Sequence, residues 1–298
     1  MMPALALHLG AAGNLATSAQ LIERGHSRAE IANAVRTTEL WRPRRGWVAT
    51  PDANPDAVRA IQLGGRLAGS SALATYGIWI DEDGGQIVAC PSTASRLPPV
   101  AAGEHRLWAD DVFPVIADKR WRVSVPDALL QLSRTAPRDS LIASVDSAIQ
   151  LRQLTRGELR SLVRALPRRL RGIARELDGL AMSGTETRMR LALRRAGYEV
   201  RSQVRLPGIG IVDLLVDGWL IIELDSRRYH GGADNQLRDR TRDGNAVMEG
   251  YGHERFVWQQ VRERMDWCLA VVERRLRDGS PSAASTGGRA REAPDFSC

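Results

Sequence analysis

The feature that most constrains this chain is an apolar stretch over 210–225 that contains acids. It consists of two mainly aliphatic segments joined at Asp217-Gly218, a pair that is typical of a β-hairpin turn. Three acids lie within the segments themselves: Asp213, Glu223 and Asp225. A carboxylate in a half-buried strand costs free energy unless it is paired or binds a cation. The spacing leaves two interpretations open, a metal site and a set of salt bridges at the end of a sheet.

The length of the hairpin loop decides which face each acid occupies, because successive side chains of a strand alternate between faces. A two-residue loop places Asp213 and Glu223 on opposite faces. A three-residue loop over 216–218 pairs Asp213 with Ile221 and brings all three acids to one face. The acids then share that face with Ile211, Leu215, Trp219 and Ile221. The other face is aliphatic throughout: Val212, Leu214, Val216, Leu220, Ile222 and Leu224. This clean separation favours the three-residue loop.

Length and charge indicate a multidomain protein with a basic segment. At 298 residues the chain is long for one domain, and its 43% hydrophobic content supports folded cores. The formal net charge is +7, and 41 of the 42 basic residues are arginine because Lys119 is the only lysine. Over 134–205, 16 arginines face 7 acids. A basic segment next to an acidic site suits a nuclease, and a solvated helix face is the alternative.

The cysteines and the hydropathy pattern favour a cytoplasmic protein with no membrane partner. Cys90, Cys268 and Cys298 lie far apart and do not form the spacing of a disulfide framework or a zinc site. The sequence contains no apolar run of transmembrane length, and its start lacks the basic flank of a signal peptide. A reducing compartment is therefore expected.

Residues 13–50 have the pattern of two helices followed by a short hairpin. A first helix is predicted over 16–25, and a second begins near Ser27, which has the spacing of a capping box with Glu30. The hairpin is predicted over 40–48, with basic residues at its tip. In a winged helix-turn-helix the second helix enters the major groove and the wing contacts phosphate. The expected DNA contacts are Arg28, Asn33, Arg36, Arg42, Arg44 and Arg45. Docking of a partner protein is the alternative.

The middle of the chain reads as a mainly helical connecting scaffold without catalytic motifs. One long helix is predicted over 57–80, with close packing at Gly64-Gly65. Further helices are predicted at 124–132, 140–152 and 155–166, and the strand candidates are 86–89, 105–109 and 121–125. The segment from Gly279 onward is of low complexity, which predicts disorder.

The regions on either side of the hairpin add further candidate site residues. A helix is predicted to open at 183–186 and to run to Gly197, and helical spacing puts Glu186 on a face with Met189 and Arg190. Glu186 can point towards the hairpin acids, or it can serve in a capping box with Ser183. Beyond the hairpin follow His230, then a helix that carries Arg240, and then a strand over 254–258.

The order helix, strand, strand, helix, strand, with these acids, resembles the PD-(D/E)XK nuclease superfamily. Within it, the stretch over 181–275 is most similar to the very-short-patch-repair-like endonucleases. The features that match are Glu186, Gln203, Val212-Asp213, Ile222-Glu223-Leu224-Asp225, His230, Asp239-Arg240, Gly250-Tyr251 and Arg255-Phe256. Two positions depart from the pattern. Asp225 stands where the signature has lysine, and Ser226 stands where that group often has glycine.

The front of the chain resembles a second family. Residues 14–50 are similar to the winged-helix domain of the abortive-infection antitoxins of type IV toxin–antitoxin systems. Together the two resemblances imply a multidomain α/β (α+β) protein. The expected domains are a winged helix-turn-helix (1–52), an antitoxin-like connecting region (53–178), a restriction-endonuclease-like domain with a mixed sheet (179–277) and a disordered tail (278–298).

The resemblance also implies a chemistry, that of a Mg²⁺-dependent DNA endonuclease acting in DNA repair or phage defence. Asp213, Glu223 and Asp225 are the expected ligands of Mg²⁺, or of Mn²⁺ in its place. Glu186 would position water and His230 would assist proton transfer. Arg240 would contact phosphate or hold Glu223.

Other functions stay open at this stage. One is a DNA-binding regulator of the antitoxin type with a silent nuclease-like domain, and another is a module that docks a partner protein in a defence or toxin–antitoxin system. A homodimer is a further expectation. Nicking of DNA separates the enzyme from these alternatives.

Overall fold

A computed structural model describes residues 2–81, 86–90, 94, 97–114, 118–225 and 242–279. The structure is a mixed α/β arrangement with three sheets. The chain divides into two compact units, Met1–Pro137 with Arg152–Pro167, and Arg138–Leu151 with Arg168–Cys298. No helix among the described residues is long and apolar enough to cross a membrane.

The elements follow one another along the chain in this order. The first half contains α1 (Pro3–Ala11), β1 (Leu15–Thr17), α2 (Ser18–Glu23), α3 (Arg28–Arg36), β2 (Trp47–Ala49), α4 (Pro55–Gln62), β3 (Arg66–Leu67), α5 (Gly69–Thr75), β4 (Gln86–Cys90), β5 (Glu104–Trp108) and α6 (Val125–Leu132). The second half contains α7 (Arg138–Gln150), α8 (Arg156–Ala165), a 3₁₀ helix (Arg168–Arg175), α9 (Gly184–Arg195), β6 (Val200–Leu206), β7 (Gly210–Val216), β8 (Leu220–Asp225), α10 (described over 242–248), β9 (Gly252–Val257), α11 (Trp258–Glu263) and α12 (Met265–Gly279).

The N-terminal elements α1 to β2 enclose a small core of their own. The stretch predicted as one helix over 16–25 begins instead with β1, which pairs antiparallel with β2. The helix α2 starts only after Thr17, whose side chain accepts a hydrogen bond from Gln20 N and forms a complete capping box. The second predicted helix is confirmed as α3, and Ser27 caps it.

The predicted basic hairpin is closed by a bridge between Trp41 and Ala49. Gly46 has a left-handed φ of 84° inside this loop. The loop therefore carries the arginines predicted at its tip.

The predicted single helix over 57–80 is wrong, and the glycine pair is the reason. The chain leaves α4 at Gly64, which has a φ of 85°, and forms β3 before α5 begins. A Cβ on Gly65 would lie 2.3 Å from the carbonyl oxygen of Ala89 on β4. The close approach predicted for this pair is thus made to a strand, and it requires glycine.

The middle of the chain is less helical than predicted, because it contains a three-stranded sheet in the order β3-β4-β5. The strand predicted over 121–125 is reduced to one bridge between Leu67 and Arg122. The indole N–H of Trp121 donates to the carbonyl of Ala12 at 2.7 Å. The helices α6 and α8 occur as predicted, and Thr155 and Glu158 form the expected capping box of α8.

The second unit is built on a four-stranded sheet in the order β6-β7-β8-β9. Strand β7 is antiparallel to both β6 and β8, and β9 is parallel to β8. Strand β6 is absent from the predicted order of elements. One sheet face packs on α9, α11 and α12 through an aliphatic cluster that includes Leu214, Val216, Leu220, Ile222 and Leu224. The domain boundary at 52 stays a prediction, and the predicted tail lies outside the described residues beyond Gly279.

Candidate functional site on the four-stranded sheet

The hairpin has the predicted three-residue loop, but the loop is one residue further along the chain. Val216 pairs with Leu220, so the loop is 217–219 and not 216–218. Asp217 and Gly218 both have left-handed φ values, 46° and 77°. The side chain of Trp219, predicted beside the acids, packs against the aliphatic cluster of the opposite face.

This register places Asp213 opposite Glu223, not opposite Ile221 as predicted. The antiparallel pairing of β7 and β8 runs from Val216–Leu220 to Leu214–Ile222, and continuing this register by one residue brings Asp213 opposite Glu223. Moving the loop by one residue changes the partner of Asp213 by two positions, from Ile221 to Glu223. Because side chains alternate between faces with a period of two, Asp213 and Glu223 still lie on one face. The face that carries Asp213, Glu223 and Asp225 is called the acidic face below.

The predicted aliphatic face holds with one exception, Val212. This residue packs with Leu215 and Ile221 in the second hydrophobic cluster of the sheet. The neighbouring strand β6 is distorted at the same level, since Gln203 has a left-handed φ of 51° and interrupts the pairing of β6 with β7.

Asp213 is held by hydrogen bonds from two neighbouring strands. Its Oδ2 accepts a hydrogen bond from the backbone N–H of Leu224 at 2.9 Å, and its Oδ1 accepts one from the side-chain amide of Gln203 at 3.2 Å. The charge of its carboxylate also raises the pKa of the neighbouring Glu223. The position of Asp213 is thus fixed by both neighbouring strands.

Glu186 joins this site through Gln203. The Gln203 amide donates to Glu186 Oε2 at 2.9 Å as well as to Asp213. The backbone N–H of Glu186 donates to the Ser183 hydroxyl, which caps α9, while its carboxylate accepts from the backbone N–H of Met182 at 2.8 Å. Glu186 is 3% exposed. The residue therefore serves at the helix terminus and also faces the acids of the sheet.

Burial and mutual repulsion raise the pKa values of two of these acids. Burial, followed by the charge of Asp213, raises the pKa of Glu186 to about 7. The same two causes in the same order raise the pKa of Glu223 to about 8, against the opposing charges of Arg242 and Arg255. For Glu223, burial and the charge of Asp213 thus outweigh the effect of the two arginines on its pKa.

Two arginines approach the acids. Arg242 on α10 donates to Glu223 Oε1 at 3.1 Å and to the carbonyl oxygens of Ile209 and Ile211. Arg242 thus holds Glu223, and the same role expected for Arg240 stays a prediction. Arg255 on β9 stands opposite Glu223 in the register of β8 and β9. Its guanidinium lies 3.8 Å from Asp225 and 3.3 Å from Asp243.

A histidine also lies beside the acidic face. His253 is paired with Ile221 in the strand register, and its Nε2 is 3.4 Å from Asp243 Oδ1. Burial lowers the pKa of His253, and the charge of Asp243 opposes that effect. The predicted site residues His230 and Arg240 lie outside the described residues.

Sequence reasoning missed four contributors to the site: Arg242, Asp243, His253 and Arg255 in these roles. The strand predicted over 254–258 contains Arg255 but not His253, because β9 begins at Gly252, so alternation within the predicted strand was a usable signal for Arg255 alone. Nothing in the sequence identifies which β8 residue faces them.

The predicted DNA contacts of the first unit are mostly exposed. Arg28, Asn33, Arg36, Arg42 and Arg45 are exposed, and Arg36 donates to Asn33 at 2.5 Å. Arg44 differs, since it is half-buried and donates to the carbonyl of Ile61 at 3.4 Å. This side chain is engaged by α4 of its own unit.

No family model and no curated protein matches this chain. Among solved structures, the chain is similar to the crystal structure of the RV2827C protein from Mycobacterium tuberculosis. The identity is 17%, the match covers 65% of this chain and 76% of that chain, and the TM-score is 0.24. A TM-score of this size assigns neither a fold nor a function to this chain.

Proposed function

We propose that the protein is a Mg²⁺-dependent endodeoxyribonuclease that hydrolyses phosphodiester bonds at the acidic face. The observation that carries the proposal is the position of Asp213 and Glu223, which follow the paired residues Leu214 and Ile222 on adjacent strands, with the Asp213 carboxylate accepting a hydrogen bond from the backbone N–H of Leu224, the residue after Glu223. Glu186 is attached to the same group through Gln203. Buried acids at such close quarters are what a cation-dependent hydrolase needs and what a merely structural sheet avoids.

The donor set fits a hard divalent cation. Mg²⁺ binds oxygen ligands, commonly one or two carboxylates completed by water, and Mn²⁺ suits the same donors. Asp213 and Glu223 supply two carboxylates, and a bound cation would favour their ionised forms. Among the described residues no three His, Cys, Asp or Glu side chains form a ready-made metal group. Asp225 lies 3.8 Å from Arg255 and is thus engaged in an ion pair. Its role as a metal ligand stays a prediction.

The residues of the chain then have distinct tasks. When bound, Mg²⁺ lowers the pKa of a coordinated water and offsets charge on the scissile phosphate. Glu186, with a pKa of about 7, can accept a proton at its carboxylate near neutral pH. Gln203 holds Glu186 and Asp213 at a fixed separation. Arg242 favours the ionised form of Glu223, which is the form that binds a cation.

The N-terminal elements support targeting to DNA. The helices α2 and α3, joined by a short turn and followed by a loop that the Trp41–Ala49 bridge closes, support the predicted pattern of two helices and a hairpin. The helix α3 exposes Arg28, Asn33 and Arg36, and the loop before β2 exposes Arg42 and Arg45. In this proposal α3 lies in the major groove and the loop contacts phosphates.

Nicking of supercoiled plasmid tests the catalytic part. The wild type with Mg²⁺ or Mn²⁺ should convert supercoiled to open-circular DNA. Asp213→Asn and Glu223→Gln should each lower the rate by more than about 100-fold, because the several kcal/mol supplied by a bound metal depend on them. The matched control is Glu254→Gln, an acid of the same sheet whose side chain pairs with Arg275 and belongs to the other face. It should nick at the wild-type rate.

A contrary result favours a different class of protein. Glu223 and Asp225 already have arginine partners, which is also how salt-bridged structural acids are arranged. If the wild type nicks no DNA and calorimetry detects no Mn²⁺ binding, the protein is better described as a DNA-binding regulator of the antitoxin type with a silent nuclease-like domain.

A further inference from the structure

Arg255 places a positive charge directly beside the paired acids. It is the register partner of Glu223 on the parallel strand β9, and residues paired in this way share a sheet face. Its charge lowers the pKa of Glu223, so the two groups interact electrostatically. A phosphodiester that approaches Asp213 and Glu223 therefore meets Arg255 at the same level of the sheet.

The contacts of Arg255 differ in kind from those of Arg242. Arg242 donates to two backbone carbonyls and to Glu223, which ties α10 to the start of β7. The described contacts of Arg255 are to two carboxylates, Asp225 at 3.8 Å and Asp243 at 3.3 Å, whose side chains are 32% and 39% exposed. Ion pairs of this exposure are weak, so a second anion can replace one of them at small cost.

We propose that Arg255 binds a non-bridging oxygen pair of a DNA phosphate at the acidic face. This inference rests on the proposed function, because it assigns a substrate contact to the same site. A guanidinium group matches two phosphate oxygens at once, whereas an ammonium group acts as a point charge. Asp225 and Asp243 hold the guanidinium over the face when no phosphate is present. The phosphate takes the place of one carboxylate when DNA binds.

The test measures the salt dependence of DNA binding. The full chain carries Arg42→Ala and Arg45→Ala as a background, so that contacts of the first unit do not dominate. A short fluorescein-labelled duplex is titrated in Ca²⁺ over a series of salt concentrations, with fluorescence anisotropy as the readout. Arg255→Gln should lower the slope of log K against log[salt] by about 0.9, the value for one lost phosphate contact. Arg255→Lys should retain the slope.

A matched control is Arg275→Gln, which removes another arginine that contacts β9, through Glu254 and the carbonyl of His253. Its slope should equal that of the background protein. Thermal unfolding confirms that each variant is folded, and Arg255→Ala serves as the second variant without the charge if Arg255→Gln is not folded. For nicking, Arg255→Gln should lower kcat by about 100-fold, as expected for loss of a charge-stabilising donor, with partial recovery in Arg255→Lys.

The outcomes separate this inference from the proposed function. If the background protein nicks DNA and Arg255→Gln changes neither the slope nor kcat, the inference is wrong and the nuclease stands. If no variant nicks DNA but Arg255→Gln still lowers the slope of log K against log[salt], the phosphate contact is supported and the catalytic proposal is wrong. Equal slopes for Arg255→Gln and Arg275→Gln, or a background protein that does not bind the duplex, overturn the inference.

Discussion

At the scale of single residues, Arg190 is a fully buried charged side chain of the second unit. Its guanidinium donates to Asp146 Oδ2 at 2.7 Å and to the carbonyl of Glu176 at 2.8 Å. Asp146 also accepts from the backbone N–H groups of Asp178 and Gly179. This network joins α7 to α9. Because α9 carries Glu186, the network also fixes the helix that contributes Glu186 to the candidate site.

Removal of this guanidinium should destabilise the second unit strongly. Arg190→Ala leaves the Asp146 charge buried without its partner, which typically costs about 3–5 kcal/mol. Arg195→Ala on the same helix removes an exposed pair with Asp139 and should cost less than about 1 kcal/mol. Urea unfolding monitored by circular dichroism measures both. Equal losses in the two variants would contradict the buried network.

The raised pKa values of the site acids predict a pH-dependent stability of the cation-free protein. The pKa of Glu186 is about 7 in the folded state and near 4.5 when unfolded, so the folded state binds more protons between these values. Stability therefore falls as pH rises from about 4.5 through 7, by up to about 3 kcal/mol from this group. Glu223 extends the fall towards pH 8.

The check is a series of urea unfolding curves between pH 5 and 8, run in chelator. Glu186→Gln should flatten the decline, and Mg²⁺ should restore stability mainly at the upper end of the range, where the acids are ionised. A wild-type protein that becomes more stable over this interval would contradict the prediction.

Residue spacing predicted part of this site. The shared face of Asp213, Glu223 and Asp225 follows from alternation, and the two roles of Glu186 were both foreseeable from helical spacing and the capping pattern. The pairing of Glu223 with Arg255 was not, because a register between parallel strands is set by the crossover segment and the core, and not by the local sequence of either strand. The contact of Arg242 depends on how α10 packs on the sheet, which helical spacing alone does not give.

At the scale of elements, glycine decides where the first unit bends. Periodicity over 57–80 favours a continuous helix, and only the approach of Gly65 to strand β4 shows that the chain must turn there. Strand β6 was also absent from the predicted elements. Its regularity is broken by the left-handed Gln203, the residue that bridges Glu186 and Asp213.

Gly65→Ala tests the close approach. The added Cβ would lie 2.3 Å from a backbone oxygen and 2.5 Å from Val88 Cγ1, so β3 and β4 must separate. The expected cost is about 1–3 kcal/mol, as for other overpacked cores. The control is Gly10→Ala on α1, where nothing lies within 4 Å of the new Cβ, and there helix propensity should leave stability unchanged or slightly higher. Thermal and urea unfolding distinguish the two.

At the scale of the whole molecule, two compact units divide the proposed tasks of targeting and catalysis. The first unit exposes the arginines of α3 and of the loop before β2. The second contains the acidic face. Substitutions of the first-unit arginines should therefore affect mainly DNA binding, whereas substitutions on the acidic face should affect hydrolysis.

Arg42→Ala combined with Arg45→Ala should weaken DNA binding and lower its salt slope by about 1.8, the value for two phosphate contacts. Arg44→Ala should leave the slope unchanged, since its guanidinium contacts the carbonyl of Ile61 within its own unit. The assay is fluorescence anisotropy with a labelled duplex at several salt concentrations. An unchanged slope in the double variant would rule out this loop as a DNA contact.

The sequence alone determined the class of local structure and the alternation of the hairpin. The turn at Asp217-Gly218, the caps of α3 and α8 and the clustering of three acids on one face depend on neighbours within a few residues. Only the tertiary structure decided which side chains those acids meet. The loop position, the bend at Gly64-Gly65 and the pairing of Glu223 with Arg255 depend on packing between segments distant in sequence, and local propensity does not encode that packing.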